Sequence, residues 1–228
     1  MRTRQIKPKV KTRRRIFVVD DHPITRYGLV QLLNREPDLR VCGEAENAAQ
    51  GLAALKSARP DLVLADITLP DKSGLEFLKD AQALYPGLAV LVISMHDETL
   101  FAERVLRAGG RGYIMKSAGG EKLIEAIRRT LQGLVYVSPT IAATLLDGLT
   151  RPHTSARPAG LGTFTDREFE VFQLIGQGLS TREISQKLNL SAKTVGTHRL
   201  HVKDKLHLQD GPALIKQAVR WAATQQLV

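Results

Sequence analysis

The sequence predicts an α/β doubly wound domain, five parallel strands in the order 2-1-3-4-5, followed by a small all-α domain containing a helix-turn-helix. Three observations predict it. Up to residue 133, short apolar runs alternate with helix-period segments, the pattern of a parallel sheet covered on both faces. The first and third of those runs end in aspartates, Asp20-Asp21 and Asp66, as expected of neighbouring strands whose carboxyl ends open into one crevice at the switch point. Residues 163–228 carry helical periodicity and no strand signal.

Taken in order, Ile16-Phe17-Val18-Val19 marks a strand near 15–19, and others read near 39–45, 62–65, 89–94 and 112–115. Helices read near 24–34, 47–58, 73–84, 98–108 and 120–132, with Pro23 suited to a first helical position. Gly109-Gly110-Arg111-Gly112 precedes a strand and opens no helix, which argues against a dinucleotide-binding loop. Leu134-Val135-Tyr136-Val137 is followed by a short helix over Pro139 to Leu149. Residues 150–162 lack periodicity and are rich in Pro, Gly, Ser and Thr, a flexible linker.

Beyond the linker, Thr165 with Glu168 and Ser180 with Glu183 are capping boxes that start two helices. Gly176 and Gly178 end the first. Ser191 starts a third helix, with Val195, Val202 and Leu206 facing inward, and Gly211-Pro212 opens a last one through Trp221. The short helices joined by Asn189-Leu190-Ser191 form the helix-turn-helix. The chain thus divides into a basic tail (1–14), a first domain (15–133), a connection with a short helix (134–162) and an all-α domain (163–228).

With 228 residues and 43% hydrophobic content, the chain can build one ordinary core and a smaller one. No apolar stretch approaches the length of a transmembrane helix, and the basic N-terminus lacks the apolar core of a secretory signal. Cys42 is the lone cysteine, which excludes an internal disulfide or a Cys-based zinc site and fits a reducing compartment. A cytoplasmic location without membrane attachment is expected. Much of the net charge of +10 comes from residues 1–15, which hold eight basic side chains and no acid. Such a run is either solvated or an arm that adds phosphate contacts.

The strand ends carry the chemistry. Asp20, Asp21 and Asp66 taken singly fit helix caps as well as they fit a metal site. The fourth and fifth strands end in Ser94 and Lys116, which brings a hydroxyl and an ammonium to the same edge of the sheet. Three carboxylates in one pocket repel unless a hard divalent cation, Mg2+ above all, takes oxygen ligands from them. Such an ion can neutralise an incoming phosphoryl group, the hydroxyl can donate to it and the Lys can pair with it, as an aspartate nucleophile requires.

This constellation resembles the receiver domain of two-component response regulators. The resemblance implies that Asp66 is the phosphoacceptor and that Asp21, Asp66 and the backbone carbonyl of Thr68 hold the metal, with Asp20 acting through water. It further implies that Ser94 is the switch hydroxyl, Tyr113 the switch aromatic and Lys116 the phosphate-pairing lysine. One departure is Lys116-Ser117, where the family often carries Lys-Pro with a cis bond; the isomer here is open, since a cis bond without Pro costs about 3 to 4 kcal/mol.

Phe164-Thr165-Asp166-Arg167-Glu168, Gly178 to Ile184 and Ser191 to His198 resemble the LuxR-class DNA-binding domain, and the composite resembles a NarL/FixJ-type response regulator. In helix-turn-helix geometry the helix over 192–205 enters the major groove while the helix carrying Thr181 and Arg182 crosses the backbone. Its outer face would present Lys193, Gly196, Thr197, Leu200 and His201. Lys193, Thr194, His198, Lys203 and Lys205 are candidates for phosphate contacts, and Thr197 for a base edge or thymine methyl. Arg199 could pack its stem inward and send its head to a phosphate. Family members often carry long polar side chains where Gly196 and Leu200 stand, so apolar contact or DNA shape would carry more of the specificity here.

The expected function is therefore a phosphorylation-switched transcription factor without enzymatic turnover. A sensor histidine kinase would phosphorylate Asp66 with Mg2+, the new charge would pull Ser94 towards it and let Tyr113 rotate inward, and a homodimer would bind double-stranded DNA, with RNA polymerase a further candidate partner. Two rivals stand beside it. One is a constitutive DNA-binding regulator; the other is an Asp-nucleophile phosphatase, which needs a second Asp where Thr68 stands.

Overall fold

A computed structural model of the chain describes residues 13–150, 163–188 and 190–225; the expected basic tail and linker fall almost wholly outside them. The first domain runs β1 (Arg14–Val19), α1 (Pro23–Arg35), β2 (Leu39–Ala45), α2 (Ala48–Ala58), β3 (Leu62–Asp66) and α3 (Gly74–Leu84). It continues through β4 (Ala89–Ser94), α4 (Glu98–Arg107), β5 (Gly112–Met115), a 3-10 turn and α5 (Gly120–Leu131). All strand pairs are parallel, in the order β2-β1-β3-β4-β5. The strands read as continuous apolar runs because both faces are covered. Phe17, Val19, Val63, Ala65, Val90 and Val92 pack to one side of the sheet, and Ile16, Val18, Leu62, Leu64, Leu91 and Ile93 to the other.

Strand order puts β1 beside β3, and this is what brings their terminal aspartates together. The loop after β3 is fixed at both ends. Ser73 and Glu76 form a capping box at the start of α3, and Asp71 accepts from the backbone N–H groups of Ala48 and Ala49, tying the loop to the start of α2. Gly74 lies so close to β3 that a Cβ there would stand 2.2 Å from the Asp66 carbonyl oxygen. Only glycine allows that approach of α3 to the strand end.

Beyond α5, Tyr136 lies alongside β5, where Tyr113 N–H donates to its carbonyl at 3.0 Å. The following helix, α6 (Pro139–Thr150), buries Ile141 and is anchored where the Ser138 hydroxyl donates to the Glu98 carboxylate at the start of α4. The second domain comprises α7 (Asp166–Gly176), α8 (Thr181–Lys187), α9 (Ala192–Lys205) and α10 (Gly211–Gln225). Both capping boxes expected at Thr165 and Ser180 are formed, and Ser191 accepts from Thr194 N–H at 3.0 Å. In its core Phe169 meets Trp221 edge-on and Phe172 meets it tilted, with ring centroids 5.6 and 5.4 Å from the Trp. Among the described residues no helix is long and apolar enough to cross a membrane.

Candidate functional site

Asp20 closes the turn after β1, Asp66 ends β3, and both are buried, at 0% and 3% exposure. Neither caps the following helix. Asp20 Oδ1 accepts from His22 N–H at 2.8 Å, Asp66 Oδ1 from Thr68 N–H at 3.2 Å, and α1 starts at Pro23 with no side-chain cap from His22 before it. Their other oxygens converge on one cation. Lys116 Nζ, delivered by the end of β5, is 2.6 Å from Asp66 Oδ2 and 2.7 Å from Asp20 Oδ2.

Burial pushes the Asp66 carboxyl above its ordinary range, and the neighbouring Lys116 only partly offsets this. Burial alone would lower the Lys116 ammonium; the Asp66 and Asp20 carboxylates outweigh it and hold it up. The pocket therefore keeps a poised carboxylate against a fixed positive charge. It also gathers more ligand capacity than one Lys can satisfy. Ligand atoms of Asp20, Asp21, His22 and Asp66 lie within 4.8 Å of one another, and Asp21 Oδ1, 2.7 Å from His22 Nδ1, receives no oriented hydrogen bond. A divalent cation fits that donor set.

Ser94 and Tyr113 sit behind the pocket, both at 0% exposure. Ser94 Oγ accepts from His96 N–H at 3.0 Å, and Tyr113 Oη donates to the His96 carbonyl at 2.8 Å. Burial pushes the Tyr113 phenol well up, so it stays protonated and a donor. The sequence led us to expect Tyr113 to rotate inward on activation. It is already inward, because the carbonyl of the β4–α4 loop offers its hydroxyl a buried partner. The Lys116-Ser117 peptide is trans.

His22 and His96 were missed from sequence. The His22 ring lies against Asp21 and within 4.0 Å of Asp66. His96 had no signal beyond its place just after Ser94. Its Nε2 is 3.1 Å from Thr68 Oγ1, its Nδ1 is 3.2 Å from Gln173 Nε2, and burial holds the ring's pKa down. That pattern fits a neutral ring with its proton on Nε2. Gln173 belongs to α7, so the bond joins the two domains. Beside it Phe101 meets Phe169 edge-on at 5.4 Å, and Arg104 lies 4.7 Å over the Phe169 ring while donating to the Phe164 carbonyl at 3.1 Å.

The second domain leaves the outer side of α8 and α9 open to solvent. On α9, Lys193, Thr194, Gly196, Thr197, Leu200 and His201 are exposed, and on α8 Arg182 is exposed with Thr181 partly so. A Cβ at Gly196 would meet nothing within 4 Å. Thr197 Oγ1 is turned back onto the Lys193 carbonyl at 3.2 Å, which leaves its methyl outermost. Arg199 is half-buried, and burial lowers the pKa of its guanidinium. His198 is likewise half-buried, with Nδ1 unpartnered, and Lys203 is half-buried. Lys205 is committed elsewhere, 2.6 Å from Glu168 Oε2 and 3.0 Å from the Thr163 carbonyl. It clamps α9 to the start of α7, so a phosphate would have to compete with that pair.

Comparison with known proteins agrees in both halves. Residues 16–128 match the response regulator receiver domain, and residues 162–218 match the bacterial regulatory proteins of the luxR family. The transcriptional regulatory protein UhpA of Escherichia coli (strain K12) is 35% identical over 202 residues, covering 89% of this chain and 96% of that protein. A two-component response regulator of the LuxR family from Aurantimonas sp. SI85-9A1 is 33% identical, with a TM-score of 0.57, over 61% of this chain and 100% of that structure. RcsB from Salmonella enterica serovar Typhimurium, bound to promoter rprA with phosphomimetic BeF3-, shares the fold at 24% identity, with a TM-score of 0.60, over 90% of this chain and 98% of that one.

Proposed function

We propose that this chain, which belongs to the NarL/FixJ-type response regulators of two-component systems, is switched by phosphorylation of Asp66. The observation that carries this reading is the ammonium of Lys116 held 2.6 Å from Asp66 Oδ2 in a buried acidic pocket. Mg2+ is the proposed ion, because carboxylate and carbonyl oxygens are its preferred ligands whereas the His22 ring suits softer metals. Asp21, Asp66 and the Thr68 carbonyl would hold it, with Asp20 acting through water. When bound, it supplies charge neutralisation to the phosphoryl oxygens.

The protein's own groups do the rest. Asp66 is the nucleophile and Lys116 pairs with the transferred group. Ser94 gives up its contact with His96 N–H and turns its hydroxyl to a phosphoryl oxygen. That frees the loop whose carbonyl holds Tyr113 and whose ring holds Gln173, so the change is felt at the domain contact. A sensor histidine kinase is the proposed donor. Ile24 at 89% and Tyr27 at 66% exposure give α1, next to the pocket, an apolar surface suited to a protein partner. A homodimer on double-stranded DNA is the proposed output, and Ile215 and Val219, one turn apart and near 45% exposed on α10, offer it an apolar stripe. RNA polymerase is a proposed partner at the promoter. No enzymatic turnover is assigned, and the cell interior is the proposed location.

The metal assignment has a direct check in thermal unfolding. At ten times its Kd, Mg2+ raises stability by about 1.4 kcal/mol if it binds only the folded state. Asp21→Ala removes most of that gain, and an unchanged Mg2+ response in that variant rules Asp21 out as a ligand. The function itself is tested by mapping bound DNA across the genome in wild type and Asp66→Ala. Most sites are expected to lose occupancy in the variant. Equal occupancy favours a constitutive regulator instead.

A further inference from the structure

The pocket over Asp66 is not walled by the first domain alone. A cavity of about 200 Å³ opens over Asp66, Thr68 and His96, and its outer wall is made by Gln173, Leu174, Lys187 and Leu188 of the second domain. Docking thus places α7 and the end of α8 across the entrance to a carboxylate that is itself 3% exposed. The DNA-facing side of the same domain is left open. Leu200 is 49% exposed, and Lys193, Gly196, Thr197 and His201 on the same helix are exposed as well.

We propose that the docked DNA-binding domain is a lid on the phosphoacceptor rather than a cover for the DNA-reading helix. The lid is latched by Gln173 to His96 and by Arg104 to the Phe169 ring and the Phe164 carbonyl. It rests on the reading of Asp66 as the phosphoacceptor. The closed chain phosphorylates slowly because a donor must wait for the open form. Ser94 turning to the phosphoryl group loosens the His96 loop that holds Gln173, so by linkage phosphorylation and undocking favour each other.

The test uses the full chain with both polar latches removed, Arg104→Ala with Gln173→Ala; both side chains lie at the domain contact. Access to the pocket is read without phosphorylation by adding Asp66→Cys and Cys42→Ser to each protein and following alkylation of the new thiol by iodoacetamide. Alkylation is expected to speed up on the order of tenfold in the unlatched protein, as for a site whose open form holds about a tenth of the population. Equal alkylation rates overturn the lid. With Asp66 intact, phosphate incorporation from acetyl phosphate is expected to rise in step. If alkylation rises while neither protein takes up phosphate at Asp66, the lid stands and the phosphoacceptor reading fails. Affinity of the unphosphorylated proteins for DNA is expected to change by less than about twofold, because the reading face is already open. A gain in DNA affinity as large as the gain in alkylation shows that docking conceals that face and overturns the proposal.

Discussion

Asp66→Asn protein is expected to take up no phosphate from acetyl phosphate and Mg2+, where wild type is expected to gain a single phosphoryl group in intact-mass measurement. The amide keeps the volume of the carboxyl and can still accept from Thr68 N–H, but it has no nucleophilic oxygen anion, so loss is to background rather than partial. The fold survives. Lys116 loses one carboxylate but keeps Asp20 at 2.7 Å, so no buried ammonium is left unpaired. The cost of burying the Asp66 charge also disappears, as its raised pKa indicates, and this offsets the lost ion pair. A melting temperature close to that of wild type is therefore expected alongside the loss of labelling. If the variant labels as wild type does, another residue is the acceptor and the site assignment falls.

How far the sequence could be read follows from the range of the interactions. The five β/α pairs fall within a residue or so of their expected bounds, because apolar runs, caps and glycines are local signals. Asp20, Asp21, Asp66, Ser94 and Lys116 were legible as strand ends, since the doubly wound topology puts all strand ends at one edge. The two histidines were not. His96 takes its meaning from Thr68, 28 residues back, and from Gln173, 77 residues on in another domain. Lys205 looked like a phosphate contact from its charge and its place at the end of α9. Its pairing with Glu168, 37 residues earlier, is a tertiary fact that no helical period carries. Tyr113 could be named from sequence but its orientation could not, because that depends on which carbonyl the β4–α4 loop turns towards it.

The reading face of α9 separates into two kinds of residue, with separate expected effects. Thr197 has its hydroxyl bonded back to the Lys193 carbonyl, so what it offers a groove is a methyl, and Leu200 beside it is apolar and 49% exposed. Both suit thymine methyl groups better than hydrogen-bonding base edges. Lys193, exposed in the first turn of the same helix, offers a flexible charge suited to phosphate. Thr197→Ala and Leu200→Ala are expected to relax preference at particular base pairs, each worth about 1 to 3 kcal/mol. Lys193→Ala is expected instead to weaken binding to all sequences alike and to lower the salt slope by about 0.9, the contribution of one phosphate. Selection from randomised duplexes, repeated at two salt concentrations, distinguishes the two. Gly196 sharpens the reasoning, because the open space around it leaves a gap in the reading face where no side chain can report on the base. If the Thr197 and Leu200 variants select the same site as wild type, the duplex is being read through its shape and not through its base edges.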